Sequence, residues 1–241
     1  MGGIKIAFFF IVLLINGITF SQIKTGKIVF ERRTNLEKRF KDEDSRWFEF
    51  LETNKFKIDI FELYFNDTCS IFKPLITDEI DQLSWTTTRN EVFQNSKTNM
   101  RLMKLNMWGQ DIFVSDTMTT RQWKITENKR VIGKYECRKA IWQKNDSTRI
   151  YAWYSPEIIP TVGPEGFSGL PGAILGLATE DGGIIYFAKS VEILEPTKEN
   201  FVIETKRKKL YSYTELKVKL EEDYGKEKWG KDLFENLFRW L

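Results

Sequence analysis

Residues Ala173 to Ser190 read Ala-Ile-Leu-Gly-Leu-Ala-Thr-Glu-Asp-Gly-Gly-Ile-Ile-Tyr-Phe-Ala-Lys-Ser. Two apolar runs, 173–179 and 184–190, are separated by Glu180-Asp181-Gly182-Gly183. An Asp-Gly-Gly sequence supplies residues that adopt the positive φ angles of a tight hairpin turn. The pattern therefore predicts two antiparallel strands joined by a short turn.

Strand-like segments recur at short spacing from Gly26 to about Glu204, with no helical pattern between them. In one of them Phe56, Ile58 and Ile60 alternate with charged residues, and the pattern slips by one near Phe61, where we expect a bulge. So many strands without intervening helices predict an antiparallel meander rather than βαβ units. Besides 173–179, the predicted strands are 27–32, 55–65, 101–105, 111–114, 121–126, 134–143, 149–154, 184–193 and 201–204.

The C-terminal part of the chain has a helical pattern. Ser212 and Glu215 have the spacing of a capping box, and Leu216 and Leu220 begin an apolar face that continues at 233–241. We expect a break at Gly225 or Gly230, and packing on the sheet rather than on a membrane, because acidic residues are as frequent as lysine on the polar side. The predicted fold is mainly β: an antiparallel curved sheet, bent into a half-barrel or open barrel, with one C-terminal amphipathic helix.

The N-terminus has the features of a cleavable secretory signal peptide. Lys5 precedes an unbroken apolar run from Ile6 to Ile15, which is too short to span a bilayer, and Thr19-Phe20-Ser21 places small residues at the cleavage positions. We predict a signal peptide at 1–21 and a single domain at 22–241, soluble in the periplasm or outside the cell. A retained anchor helix is the alternative; no second segment is apolar enough to span a membrane.

Composition excludes several classes of function. Without Lys5 the chain has 36 basic and 34 acidic side chains, a balance that predicts no attraction to nucleic acid. The chain contains no histidine, which excludes Ser-His-Asp and Cys-His nucleophilic systems and most zinc sites. We therefore expect no cofactor and no metal. The two cysteines, Cys69 and Cys137, form either one disulfide in an oxidising compartment or two buried free thiols.

Residues 155–172 stand apart from the strands. They hold four of the six prolines of the chain, and glycine recurs at every third position from Gly163 to Gly172. Prolines fix φ and glycines permit positive φ, so we expect an ordered, non-repetitive loop. Such a loop either has a functional role or covers one end of the sheet.

Four blocks of sequence in this region resemble the GLPGLI family, exported proteins of Gram-negative bacteria. They are 135–140 (Tyr-Glu-Cys-Arg-Lys-Ala), 152–158 (Ala-Trp-Tyr-Ser-Pro-Glu-Ile), Gly163-Pro164 and 169–174 (Gly-Leu-Pro-Gly-Ala-Ile). Ala173 stands where the family motif has leucine, which shortens an apolar side chain but keeps the Pro-Gly turn. The resemblance implies export and no established activity, so it assigns no catalytic residue.

Two functions fit these observations. The first is a non-catalytic binding or accessory module of the cell envelope, in which aromatic residues, Trp123 and Trp142 among them, offer a groove to a lipid, peptide or protein partner. The second is a hydrolase of glycans or peptides that uses paired carboxylates. The candidate acids are Glu157, Glu165, Glu180 and Asp181. The candidate binding residues are Trp153, Tyr154, Gly163, Pro164, Gly169, Leu170, Pro171 and Gly172.

Overall fold

The computed structural model describes residues 22–40, 48–76, 81–107, 110–145, 148–205 and 207–226. The predicted signal peptide and the apolar residues 233–241 lie outside the described residues. None of the helices in these ranges has the length and apolarity needed to span a membrane.

The described residues form one sheet of twelve strands, ordered β12-β6-β5-β4-β3-β2-β1-β11-β10-β9-β8-β7. All ladders are antiparallel except the short parallel pairing of β12 with β6. The strands are β1 (Gly26–Asn35), β2 (Phe56–Phe65), β3 (Cys69–Pro74), β4 (Glu91–Asn95), β5 (Met100–Met107), β6 (Gln110–Thr117), β7 (Trp123–Ile132), β8 (Tyr135–Gln143), β9 (Arg149–Ser155), β10 (Ala173–Thr179), β11 (Ile184–Glu192) and β12 (Leu210–Tyr211).

The sheet is curved. It is also open, because its terminal strands β12 and β7 do not pair with each other. This confirms the predicted fold class. The predicted hairpin is also confirmed: β10 and β11 pair in antiparallel fashion, and Gly182 in the turn has φ +68°.

Three local predictions were wrong or incomplete. β3 and β4 were not predicted, and two short helices, α1 (Leu36–Arg39) and α2 (Phe48–Thr53), lie between β1 and β2. Residues 201–204 are not a strand. A capping box between Thr197 and Asn200 begins a 3₁₀ turn, Lys198–Phe201, which diverts this segment from the sheet.

The predicted bulge near Phe61 is absent. β2 pairs with β1 in continuous register from Phe56 to Phe65, and the register shift in this region lies between Val29 and Phe30, where β1 meets β11. Along β2 the buried positions alternate without interruption from Lys57 to Phe65. The slip in the sequence therefore marks a change in the chemistry of the buried face, from charged at one end of the strand to apolar at the other.

The main core lies on the concave face of the sheet. The rings of Phe61 and Phe72 stack there at 4.7 Å, and Phe30 packs edge-on against Phe72 at 6.3 Å. Residues of the 155–172 segment, Phe167 and Leu170 among them, belong to the same buried cluster. The sheet thus encloses this segment. A smaller cluster on the opposite face joins Ile71, Phe113 and Ile203.

The C-terminal helix, α3 (Tyr213–Tyr224), begins with the predicted capping box. The Glu215 amide donates to Ser212 Oγ at 3.2 Å, and Glu215 Oε2 accepts from the Ser212 amide at 2.8 Å. Leu216 and Leu220 are buried in the main core, and the helix ends before Gly225, as predicted. The helix therefore packs on the sheet over its described length.

Candidate functional site

The segment 155–172, here called the Pro/Gly loop, folds into the concavity of the sheet. Gln94 Nε2 donates to the Gly166 carbonyl at 2.9 Å, and Trp123 Nε1 donates to the Ser168 carbonyl at 2.9 Å. The Phe167 ring packs between Trp123 and Trp142, with centroids 6.1 and 5.7 Å away. The groove predicted at these tryptophans is therefore occupied by the protein's own loop.

Glu165 is the innermost residue of this loop. Its side chain is fully buried, at 0% exposure, and its backbone has φ +53°, a left-handed conformation that is uncommon outside glycine. Its carboxylate accepts hydrogen bonds from the Tyr186 hydroxyl at 2.5 Å and from Asn90 Nδ2 at 3.3 Å. The Arg32 guanidinium lies 3.9 Å from Oε1. A strained backbone that holds a buried acid is typical of a constrained, specific site.

Further charged groups continue from Arg32. Asp59 Oδ2 lies 2.6 Å from Arg32 Nη2 and accepts a hydrogen bond from Thr87 Oγ1 at 2.9 Å. Lys57 Nζ lies 3.0 Å from Asp59 Oδ1 and 2.7 Å from Asp81 Oδ2. We call Glu165, Arg32, Asp59, Lys57 and Asp81 the charged row. Charge alternates along it, from fully buried Glu165 to partly exposed Asp81.

The sheet register explains why these groups meet. Arg32 of β1 stands directly opposite Tyr186 of β11 on one side and Asp59 of β2 on the other. Residues opposite each other on neighbouring strands point to the same face, so three adjacent strands place three polar side chains side by side. The Arg32 guanidinium also lies over the Phe61 ring, 4.8 Å from its centroid.

Burial and charge shift the ionisation of this site in different directions. Burial raises the pKa of Glu165, against the opposing effects of Arg32, Tyr186 and Asn90. Burial acts on Asp59 in the same direction, but Arg32 and Lys57 outweigh it and hold the Asp59 pKa below its ordinary value. Burial and the Glu165 carboxylate raise the pKa of Tyr186, so its hydroxyl remains a hydrogen-bond donor.

The arrangement does not match a paired-carboxylate active site. Glu165 has both oxygens engaged and no exposed surface. Glu180 lies instead at the β10–β11 turn, where it binds Arg149 at 2.6 Å and Tyr151 at 2.9 Å, and Asp181 accepts a hydrogen bond from the Gly183 amide in the same turn. Glu157 is partly buried and its carbonyl accepts from the Ile23 amide. Glu180 and Asp181 are adjacent in sequence and lie together in this turn.

The candidate binding residues fall into separate environments. Gly169 and Pro171 are exposed, and Trp153 is half-buried. The others lie inside the protein and cannot contact a partner directly: Tyr154, Gly163, Pro164, Leu170 and Gly172 are buried.

Trp153 instead belongs to a strip on the sheet surface that the sequence did not predict as a unit. Arg130 lies over the rings of Trp153 and Phe187, at 4.9 and 5.5 Å, and Lys139 lies over Tyr151 and Trp153, at 4.0 and 5.9 Å. We call these five residues the cation–aromatic strip. The strand register brings them together across β7, β8, β9 and β11, which local sequence patterns do not reveal.

The structure describes both cysteines as free thiols. Cys69 on β3 is half-buried and Cys137 on β8 is buried; five strands separate β3 from β8 in the sheet. Burial raises the pKa of the Cys137 thiol to about 12. Within the described ranges, no group of three or more cysteine and carboxylate side chains is placed to hold a metal ion.

Comparisons with known proteins show a shared fold. No protein-family model matches the chain, and no curated protein matches it in sequence. Two crystal forms of PNGF-II, in space groups C2 and P21, match with TM-scores of 0.51 and 0.53 at 16% identity, covering 81% of this chain and 32% of PNGF-II. An uncharacterized conserved protein from Thermus thermophilus matches with a TM-score of 0.40 at 6% identity, over 78% of this chain and 90% of its own. This chain spans about a third of PNGF-II, and the likeness concerns the fold alone.

Proposed function

We propose that this protein is an exported cell-envelope protein and a non-catalytic binding or accessory module for a peptide or protein partner. The observation that carries the proposal is the burial of Glu165 inside the sheet. Its carboxylate holds the Pro/Gly loop in place through Tyr186, Asn90 and Arg32, so it is not available to protonate or attack a substrate. The Pro/Gly loop is therefore a fixed part of a rigid β scaffold.

Export is supported by the sequence features of residues 1–21. A mature protein in the periplasm or outside the cell would begin at Gln22 after cleavage. We also propose membership of the GLPGLI family. The four blocks that carry the resemblance fall on β8, β9, the Pro/Gly loop and β10, which are consecutive in the chain and in contact in the fold.

The cation–aromatic strip is the surface that best fits a partner. Its aromatic rings are partly exposed, and aromatic and arginine side chains are enriched where proteins bind one another. Among the described residues, no carboxylate lies within 4.0 Å of the Arg130 or Lys139 cations. These cations are therefore available to acidic side chains of a partner, and we propose a segment that combines acidic and apolar residues.

The experiment is affinity capture from envelope extract with isotope-labelled quantification. It compares the wild type with Arg130→Glu/Lys139→Glu and with a matched control, Lys124→Glu/Lys129→Glu, which reverses the same amount of charge on the same hairpin. We expect a protein that co-purifies with the wild type and the control and is lost from the strip variant. Equal recovery with all three baits would contradict the proposed surface.

The hydrolase alternative is tested with the same preparations. Glycan and peptide substrates are incubated with the wild type and with Glu165→Gln. We expect no hydrolysis by either protein. Hydrolysis that the wild type performs and Glu165→Gln does not would overturn the non-catalytic assignment.

A further inference from the structure

Arg101 on β5 is a buried cation whose hydrogen bonds are incomplete. Its residue exposure is 3%, and its Nε and Nη1 atoms have no hydrogen-bond partner. Asp116 stands directly opposite on β6, but its carboxylate accepts from the amides of Tyr213, at 3.0 Å, and Thr117, at 2.7 Å. Among the described residues, no carboxylate lies within 4.0 Å of the Arg101 guanidinium. A buried charge without such a partner is costly.

A second buried arginine lies close to it. Arg121 is 5% exposed, and its guanidinium lies 4.1 Å from the Phe167 centroid and 5.2 Å from that of Trp142. It donates to the Gly166 carbonyl at 3.4 Å, the same carbonyl that receives the Gln94 amide. Gln94 is opposite Arg101 on the neighbouring strand, so the register places Arg101 beside the residue that shares the Gly166 carbonyl with Arg121.

The two guanidinium groups act on each other. Burial, and then the Arg101 charge, lower the pKa of Arg121 to about 9. Burial also lowers the pKa of Arg101, although Asp116 acts in the opposite direction. A guanidinium remains protonated at neutral pH, so deprotonation does not relieve this repulsion. An oxyanion held by the unpartnered donors of Arg101 would offset the Arg101 charge and the repulsion it exerts on Arg121.

We propose that Arg101 and Arg121 form a binding site for an oxyanion, which is an inorganic phosphate or sulfate ion or the phosphate, sulfate or carboxylate group of a larger ligand. Guanidinium groups present paired N–H donors that match the oxygens of these anions, and the unpartnered Nε and Nη1 atoms of Arg101 supply two such donors. The Gly166 carbonyl, which accepts a hydrogen bond from Arg121, links the Pro/Gly loop to this site. This site is separate from the cation–aromatic strip and does not depend on export.

The test measures the melting temperature of the purified protein during titration with sodium phosphate, sodium sulfate or sodium acetate, each against sodium chloride at equal ionic strength. We expect a saturable rise with at least one of the oxyanions. The ranking distinguishes tetrahedral anions from carboxylates. A rise that does not saturate, or that chloride reproduces, would overturn the proposal, because it reflects a general salt effect.

Variants separate binding from folding. Arg101→Met removes a buried charge without an ion-pair partner, so we expect a higher melting temperature in oxyanion-free buffer and no response to oxyanions. Arg101→Lys keeps the charge but loses the paired donors, and we expect affinity about tenfold weaker. Arg33→Gln, at an exposed arginine of β1, is the control and keeps the wild-type response. An unchanged midpoint in Arg101→Lys, or an unchanged response in Arg101→Met, would contradict the site.

Discussion

The hydroxyl of Tyr186 donates a 2.5 Å hydrogen bond to Oε1 of Glu165, and this contact joins the middle of the sheet to the tip of the Pro/Gly loop. Tyr186 is in register with Arg32, which in turn is in register with Asp59. The loop is therefore attached to three adjacent strands through one row of polar side chains.

Replacing Glu165 with glutamine changes how stability depends on pH. Burial raises the pKa of Glu165 above its value in the unfolded chain, so ionisation is less favourable in the folded protein. Its contribution to stability is fully present below the unfolded pKa, about 4.3, and is lost as pH rises through the folded pKa. We expect the free energy of unfolding of the wild type, minus that of Glu165→Gln, to decrease as pH increases above about 4.3.

The measurement is urea denaturation of both proteins at several pH values between about 4 and 8. The titratable neighbours Asp59 and Tyr186 are present in both proteins, so their own titration largely cancels in the difference. A difference that grows with rising pH would show that the pKa of Glu165 is lowered rather than raised in the folded protein.

Replacing Asp59 with asparagine leaves Arg32 and Lys57 without their shared carboxylate. Breaking a buried ion pair from one side costs about 3–5 kcal/mol, because the remaining charge stays buried. We expect a loss of this size in the free energy of unfolding by urea denaturation. Asp111→Asn, at a partly exposed carboxylate 3.6 Å from Lys104, is the control and is expected to cost less than about 1 kcal/mol. Equal losses would contradict the importance of the charged row.

Two glycines of the Pro/Gly loop differ in their sensitivity to substitution. Gly172 has φ +139°, and a Cβ atom there would lie 2.1 Å from the Ser155 carbonyl oxygen. Gly169 has φ +91°, but its nearest neighbour would be Trp123 Nε1 at an ordinary 3.6 Å. We expect Gly169→Ala to cost about 1–2 kcal/mol from backbone strain. Gly172→Ala should cost more, since it adds the clash to the strain. Thermal unfolding of both variants tests this order, and a milder effect at Gly172 would refute it.

The two thiols differ in reactivity. Cys137 is buried and has a pKa raised to about 12, so almost no thiolate is present at pH 8. Cys69 is half-buried. We expect an aromatic disulfide reagent to modify one thiol in the native protein and two after unfolding, and Cys69→Ser to abolish the native reaction. Two unreactive sulfurs after unfolding without reductant would indicate a disulfide instead.

The sequence predicted the type of fold because strand periodicity, the Asp181-Gly182-Gly183 turn and the capping box at Ser212 are local signals. The alternation in β2 did not show which face of the strand is buried. Phe56 and Ile58 are exposed, whereas Lys57 and Asp59 are buried. The usual expectation that apolar residues face inward fails here, since Arg32 and Asp81 come from other parts of the chain to neutralise the buried charges.

The site was less predictable than the fold because its residues come from distant parts of the chain. Glu165 was a candidate for its place in an unusual loop, but its partners Tyr186 and Asn90 are 21 and 75 residues away in sequence. The folding of the Pro/Gly loop against β11 and against the segment before β4 brings these side chains together. The charged positions at 57 and 59 were the available signal, because their spacing by two places them on one face of a strand.

Glu165 anchors the Pro/Gly loop through Tyr186, and a double-mutant cycle tests this contact most directly. The free energy of unfolding is measured for the wild type, Glu165→Gln, Tyr186→Phe and the double variant at pH 7. We predict a coupling energy of about 1.5–3 kcal/mol, as expected for a buried hydrogen bond to a carboxylate. Additivity of the two single changes to within about 0.5 kcal/mol would contradict the claim.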